Sequence, residues 1–450
     1  MKYLTDCRTR FCLILLVVSF AFPALAYDDQ PIETFSLKNG MEVVLIPSHR
    51  VPAVTHMLCY RVGAGDDFPG RSGLAHYNEH MMFQGTKKVP VGEFGRIVSH
   101  NGGSFNAFTT HDYTAYHVSI ATDRLPLLMQ LEADRMLNLA PTQANFDKER
   151  EVIIEERRMT VDNQPEGLLS EEMSAVLFRN HPYHNSVIGW AHEMKALTRE
   201  DVLDFHRRFY HPANAVLVVA GDITREQLQP LAEKYYGSLP AGEKYVRNWR
   251  SEPPQRGPRH IEIHHVNVRQ PELQRWYIAP SVNSEGKELV VPGFVLAQVV
   301  GGGTTSSLYQ SLVVKQKIAT NVATDYDGIG YGPGIFKIEA TPAPGVTLPQ
   351  LEAALDKEIQ SAIAQDASAE DMARAKTLLK ADIIYARDGM EGMARTVGAL
   401  IMAGLPADYF NQWPKLVDKV SAEEVHKAAL GIFDTKGSVT GYLLPEEGGK

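Results

Sequence analysis

The stretch Ser72-Gly73-Leu74-Ala75-His76-Tyr77-Asn78-Glu79-His80 decides how the rest of this chain is read. Its apolar spacing predicts a helix running from about Ser72 to Gln84. At about 100° per residue, His76 and His80 lie about 40° apart on that helix, and Glu79 lies about 60° to the other side of His76. All three side chains therefore address one patch of space. Two neutral imidazoles can hold a divalent zinc ion, and a carboxylate beside them can take a proton from water. Five residues alone are a weak signal, because a helix with two solvated histidines satisfies the same pattern.

A catalytic zinc site needs a third protein ligand. The acidic run from Asp147 to Arg158 offers Glu149, Glu151, Glu155 and Glu156. Glu149 and Glu156 are seven residues apart, so they fall within about 20° of one line and flank Val152 and Ile153. Glu151 and Glu155 point elsewhere. Carboxylates on an apolar face are costly to bury unless positive charge meets them. A metal ion supplies that charge, and so would arginine partners.

On these residues the chain resembles the pitrilysin and insulinase family of zinc peptidases, in which the inverted motif His-x-x-Glu-His is followed by a downstream Glu pair. Glu156 lies 76 residues beyond His80, close to the separation usual in that family. Further segments match: Gly73-Leu74-Ala75-His76 running to Phe83-Gln84-Gly85-Thr86, Gly102-Gly103-Ser104-Phe105-Asn106-Ala107, and Tyr210-His211-Pro212-Ala213-Asn214-Ala215. The likeness covers nearly the whole chain beyond its leader. It is greatest in layout to the short, two-domain members, such as the beta subunit of the mitochondrial processing peptidase. The resemblance implies Zn2+ held by His76, His80 and Glu156, with Glu149 a supporting carboxylate behind them and Glu79 activating water. It also implies that Asn106 and Ala107 contact the substrate main chain. Physically, a Gly-rich edge strand beside a metal can pair with an extended peptide without reading its side chains.

The second half departs from the pattern. Self-sufficient members carry an Arg and, seven residues later, a Tyr; here Val313 and Thr320 occupy those positions. Neither supplies the charged donor or the phenolic hydroxyl that would stabilise an oxyanion, a contribution that is typically about 3–4 kcal/mol of barrier. The expectation is a heterodimer in which a homologous partner subunit supplies the Arg and Tyr, or else a homodimer. The alternative is a noncatalytic structural or peptide-binding subunit of the same fold, which would have no need to retain zinc.

Residues 1–26 read as a secretory signal: Lys2, Arg8 and Arg10 precede an apolar run from Phe11 to Phe22, and Ala24-Leu25-Ala26 forms a cleavage signature. An exported, periplasmic bacterial protein is therefore expected, without a membrane span once the leader is removed. Cys7 and Cys12 would leave with it, so only Cys59 remains and no intrachain disulfide can form. Cys59 falls in an apolar strand pattern and is read as a buried small side chain. Net charge is -9, becoming about -11 after cleavage, which excludes nucleic acid as the natural partner and suits peptide substrates.

The pattern predicts an α+β fold of two similar domains in tandem, each a mostly antiparallel sheet packed with helices. The expected boundaries are an N-terminal metal-binding domain over 27–240, a linker over 241–258 and a homologous C-terminal domain over 259–450. Capping boxes at Thr198 with Asp201 and at Ser421 with Glu424 open matching helices in the two halves. Each is followed by an apolar strand, from Asn214 to Asp222 and from Gly437 to Leu444. The Gly301 to Ser307 run lacks the lysine of a phosphate loop and is read as the start of a helix. His264 and His265 point to opposite faces of one strand. His181 and His184 are expected in a solvated loop, and no recognition role is assigned to His111 or Asp112.

Overall fold

The short alternating runs between Ile32 and Val62 form three strands, and they begin a sheet that later segments complete. The computed structural model describes residues 31–446, so the leader read at 1–26, with Cys7 and Cys12, lies outside the described residues. Strands β1 (Glu33–Ser36), β2 (Glu42–Pro47), β3 (Ala53–Tyr60), β4 (Ser104–Thr109), β5 (Thr114–Ala121) and β6 (Ala215–Gly221) build a six-stranded sheet in the order β1-β2-β6-β3-β5-β4. Strands β7 (Arg259–His265), β8 (Glu272–Ala279), β9 (Ala319–Asp327), β10 (Gly334–Pro342) and β11 (Ser438–Pro445) build a five-stranded sheet ordered β7-β11-β8-β10-β9.

Leaving β1 aside, the two orders correspond strand for strand. In each sheet the closing strand is parallel to one neighbour, β2 with β6 and β7 with β11, while the remaining pairs are antiparallel. This is the α+β fold with two mostly antiparallel sheets that the sequence predicts. Both expected capping boxes form, at Thr198 with Asp201 and at Ser421 with Glu424.

Five helices carry the argument that follows: α1 (Leu74–Met81), α2 (Gln143–Arg157), α3 (Pro165–Leu177), α4 (Val290–Gly301) and α5 (Met390–Met402). Strand β6, Ala-Val-Leu-Val-Val-Ala-Gly, is buried at every position, because helices cover both of its faces. On one face lie the first half's own residues, including Leu74, Tyr77 and Met81 of α1. On the other lie Ala394, Val397, Leu400 and Ile401 of α5, packed on Val44, Met57, Cys59, Val216 and Val218. The favour is returned: Leu169, Met173 and Leu177 of α3 pack on Trp276, Val439 and Leu443 of the second sheet. Each half thus lends one helix to the other's sheet.

The segment around 241–258 has no helix or strand. It is nevertheless fastened down. Tyr245 and Trp249 donate to the buried Asp66 carboxylate at 3.0 and 2.7 Å, and Arg247 pairs with it at 3.2 Å. Two smaller expectations, on His181 and Val152, are corrected. His181 is buried and set edge-on against Tyr183 and Trp249, because a 3-10 turn over Pro182–His184 folds it inward. Gly301 ends α4, and the run that follows leads into a helical segment from Ser307 to Lys315, as read, with Gly303 at φ +86°. Val152 is 46% exposed, so the inward face of α2 is made by Phe146 and Ile153.

Candidate metal centre

Helix α1 is fixed before it is functional. Its first turn is capped from upstream by Asp67, which accepts from Gly73 N and Ala75 N at 2.7 Å each. Gly73 precedes the helix at φ +83°, and a Cβ there would stand 2.4 Å from the carbonyl oxygen of Ile188, so only glycine fits. Tyr77 stacks on Phe146 of α2 at 4.7 Å between ring centroids and donates to its carbonyl at 2.7 Å. That contact brings two segments distant in sequence side by side.

The result is a converging donor set. His76 and His80 lie with ring centroids 4.8 Å apart, and one atom from each of His76, His80 and Glu156 lies within 4.8 Å of the others. The Glu156 oxygens stand 3.7 Å from His76 Nε2 and 3.2 Å from His80 Nε2. A tetrahedral zinc ion with bonds of roughly 2.0–2.1 Å requires ligand atoms about 3.4 Å apart, so these residues fit it.

Glu149 plays a different part from Glu156. One oxygen accepts from His80 Nδ1 at 2.9 Å and the other from Gln84 Nε2 at 2.6 Å. Both of its oxygens are therefore engaged, and its bond to Nδ1 fixes the ring so that His80 Nε2 faces Glu156. The arginine partners weighed for these carboxylates are not what meets them. Glu155 pairs with Arg158 on the outer face of the helix, away from the histidines.

The charges agree with a cation-seeking site. Burial and the neighbouring His80 lower His76 to about 4, so it is held neutral. Burial also opposes charge on His80, but the bonds to Glu149 and Glu156 prevail and raise it to about 9. The bond to His80 holds Glu156 below the usual carboxylate range. Glu79 is raised to about 6 by burial, against the opposing bond from Thr109. Thr109 Oγ1 donates to Glu79 Oε2 at 2.5 Å, leaving Oε1 free.

Among the described residues, strand β4 runs along the edge of its sheet, hydrogen-bonded to β5 alone. Ala107 N donates to the Asn106 side-chain oxygen at 2.9 Å, so this edge N–H faces away from β5. Phe105, Ala107 and Thr109 share one face of the strand, the face that meets α1; Phe105 packs there on Phe83 and Phe94. Val313 is half-buried against the second core, and Thr320 is exposed on β9, the edge strand of the second sheet. Thr109 and Asp67 were missed in the sequence: a threonine ending a strand is commonplace, and Asp67 lies too far upstream of α1 for a capping pattern to reveal it.

A fold with an inverted His-x-x-Glu-His helix facing a downstream glutamate defines a class of zinc peptidases. The family profile "Insulinase (Peptidase family M16)" matches residues 42–190, and "Peptidase M16 inactive domain" matches 196–379. A zinc protease of Helicobacter pylori, PqqE, is 30% identical over 424 residues, covering 92% of this chain and 93% of that protein. A probable mitochondrial-processing peptidase subunit beta from Schizosaccharomyces pombe is 30% identical over 232 residues, 51% of this chain and 49% of that protein. The crystal structure of a protease from Helicobacter pylori superposes with a TM-score of 0.85 at 26% identity, covering 92% of this chain and all of that one. The chain belongs to peptidase family M16.

Proposed function

We propose that this chain is the zinc-bearing, catalytic subunit of an exported endopeptidase that cuts peptides in the periplasm. The single observation that carries the reading is the convergence of His76, His80 and Glu156 to within 4.8 Å beside a carboxylate raised to about 6. Zinc, when bound by these three residues, supplies Lewis acidity toward water and toward the scissile carbonyl.

The chain's own groups do the rest. Glu79 Oε1 takes the proton from the attacking water, and a carboxyl near 6 is suited to giving it up again to the leaving amine nitrogen. Thr109 keeps Oε2 occupied, so the proton is carried on one defined oxygen. The free edge of β4 takes an extended peptide as an added strand. A substrate carbonyl displaces the Asn106 side chain from Ala107 N, which puts the scissile bond alongside α1. Side chains of the substrate stay largely unread in this mode.

Val313 and Thr320 leave the second half without a charged donor or a phenol at the positions where the family resemblance implies them. The reading therefore includes a homologous partner subunit that supplies Arg and Tyr. The periplasmic location rests on the leader at residues 1–26. No described helix is long and apolar enough to cross a membrane.

The test is peptide turnover and metal content of the purified chain, alone and mixed with its partner. One zinc per chain with turnover appearing on mixing is expected; full turnover from this chain alone removes the partner from the scheme. A noncatalytic subunit, the competing reading, has no need to retain zinc and predicts no turnover with or without a partner.

A further inference from the structure

Arg157 follows Glu156 directly and points the other way. It is 5% exposed, and its guanidinium holds Glu171 of α3 with two bonds, at 2.6 and 2.7 Å. The same group donates to the carbonyl of Gly189 at 2.8 Å. Gly189 belongs to a loop pressed against the start of α1: Ser72 Oγ accepts from Trp190 N at 2.9 Å, and a Cβ on Gly189 would stand 2.4 Å from the Ser72 backbone. One side chain therefore joins the end of the helix bearing Glu156 to the beginning of the helix bearing both histidines.

The third arm of this junction leaves the first half. Glu171 lies on α3, whose Leu169 and Met173 press against Gly441 of β11 in the second sheet. Immediately beyond Arg157 the chain shifts into a π turn over Arg158–Asp162, where Thr160 Oγ1 donates to the Glu156 carbonyl at 2.8 Å and Asp162 meets Arg157 Nε at 3.2 Å. The paired guanidinium next to Glu156 ties this end of α2 to α3 and to the loop at Gly189.

We infer that Arg157 and Glu171 are a positioning pair that sets the separation of Glu156 from His76 and His80, and so makes zinc affinity depend on a helix packed against the second half. This rests on the zinc reading above. A bidentate, buried guanidinium and carboxylate give a fixed geometry that a lysine cannot reproduce. Replacing both members by apolar residues of similar size leaves no buried charge unpaired, since Asp162, which meets Arg157 Nε at 3.2 Å, is 40% exposed and stays solvated, and such a replacement is commonly neutral for folding. The pair's role in the metal site can thus be separated from any role in stability.

The experiment uses the full chain without its leader, stripped of metal and reloaded. Zinc affinity is read by competition with a chromogenic chelator, ligand geometry by the visible absorption of bound cobalt, and folding by thermal melting of the metal-free form. For Arg157→Met with Glu171→Leu, an unchanged melting temperature with zinc affinity about 10–100-fold weaker and an altered cobalt spectrum is expected, the range usual for residues that orient ligands. A folded double variant that binds zinc as tightly as the parent overturns the inference. Should the double variant not fold, Arg157→Lys decides: at least threefold weaker zinc binding in a folded protein supports the pair's role, and unchanged binding overturns it. A parent chain that binds neither zinc nor cobalt overturns the inference together with the zinc reading, which distinguishes the two failures.

Discussion

Helices α1 and α4 hold matching places in two sheets of the same strand order, yet they share no chemistry. Each is the first α-helix after the strand that pairs antiparallel with the closing strand, α1 after β3 and α4 after β8. Helix α1 carries His76, Glu79 and His80 in eight residues; α4, Val-Val-Pro-Gly-Phe-Val-Leu-Ala-Gln-Val-Val-Gly, carries no ionisable side chain in twelve. One scaffold therefore occurs twice, once with a polar cluster set into it and once as packing alone. The difference teaches that the fold specifies where a site can sit, and side chains specify whether it does.

The sharpest way to erase that difference is Glu79→Gln, which keeps size and hydrogen bonding but cannot carry a proton. Peptide turnover should fall by about four orders of magnitude, the upper end for a general base, while bound zinc stays at one per chain. Metal analysis beside a peptide assay checks it, and turnover within tenfold of the parent removes Glu79 from the chemistry. Treatment with a chelator should produce the same loss in the unaltered chain, reversed by zinc and not by magnesium.

Buried histidines divide the halves in a second way. In the first half, burial lowers His56 to about 3 and both His181 and His206 to about 4. In the second half, His264 and His426 lie toward the surface. A folded-state value below the unfolded value of about 6.5 means that the unfolded chain binds more protons. Stability from these three residues is complete above pH 6.5 and is lost as pH falls toward 4. At pH 5 the loss is up to about 2 kcal/mol for each. Because α3 and α5 interlock the halves, a single urea transition should move to lower midpoint between pH 7 and pH 5. An unmoved midpoint sinks this account, and two separate transitions would show that the exchanged helices do not couple the halves.

What could be read in the sequence was local or periodic. His76, Glu79 and His80 lie within one helical turn and a half, and Glu149 and Glu156 share a helix face, so angular arithmetic finds both groups. Their meeting depends on Tyr77 against Phe146, a packing contact with no sequence signature. The capping boxes at Thr198 and Ser421 were legible for the same local reason. Helix α5 was not anticipated, since Gly392 and Gly398 break up its helical pattern and its apolar stripe faces a sheet more than 170 residues upstream in the chain. His181 was misjudged because the turn that buries it is closed by Trp249, from a segment read as a connector.

Glu149 tests whether the polar cluster needs its outer partner. Its bond to His80 Nδ1 orients the ring and fixes the proton, so Glu149→Gln should weaken zinc binding by roughly 10–100-fold with the fold retained. Gln84 also loses a carboxylate acceptor in this variant. Titration with a competing chelator measures the loss, and unchanged affinity would mean that Glu156 and the histidines are sufficiently ordered by α1 and α2 alone.

Thr109 should give the smallest change and the most specific one. It does not approach the histidines by any hydrogen bond; it holds Glu79 Oε2 at 2.5 Å and meets Thr114 at 3.3 Å, whose hydroxyl donates in turn to Val62 O at 3.1 Å. Thr109→Val removes the donor at constant shape, freeing the carboxylate to rotate away from the defined oxygen. Loss of a single hydrogen bond to a charged group is worth about 1.5–3 kcal/mol, hence a fall of roughly ten- to a hundredfold in kcat with KM and zinc content preserved. Thr109→Ser restores the hydroxyl and should recover most of the rate. If valine and serine behave alike, Glu79 is positioned by its burial against the sheet and not by this hydroxyl.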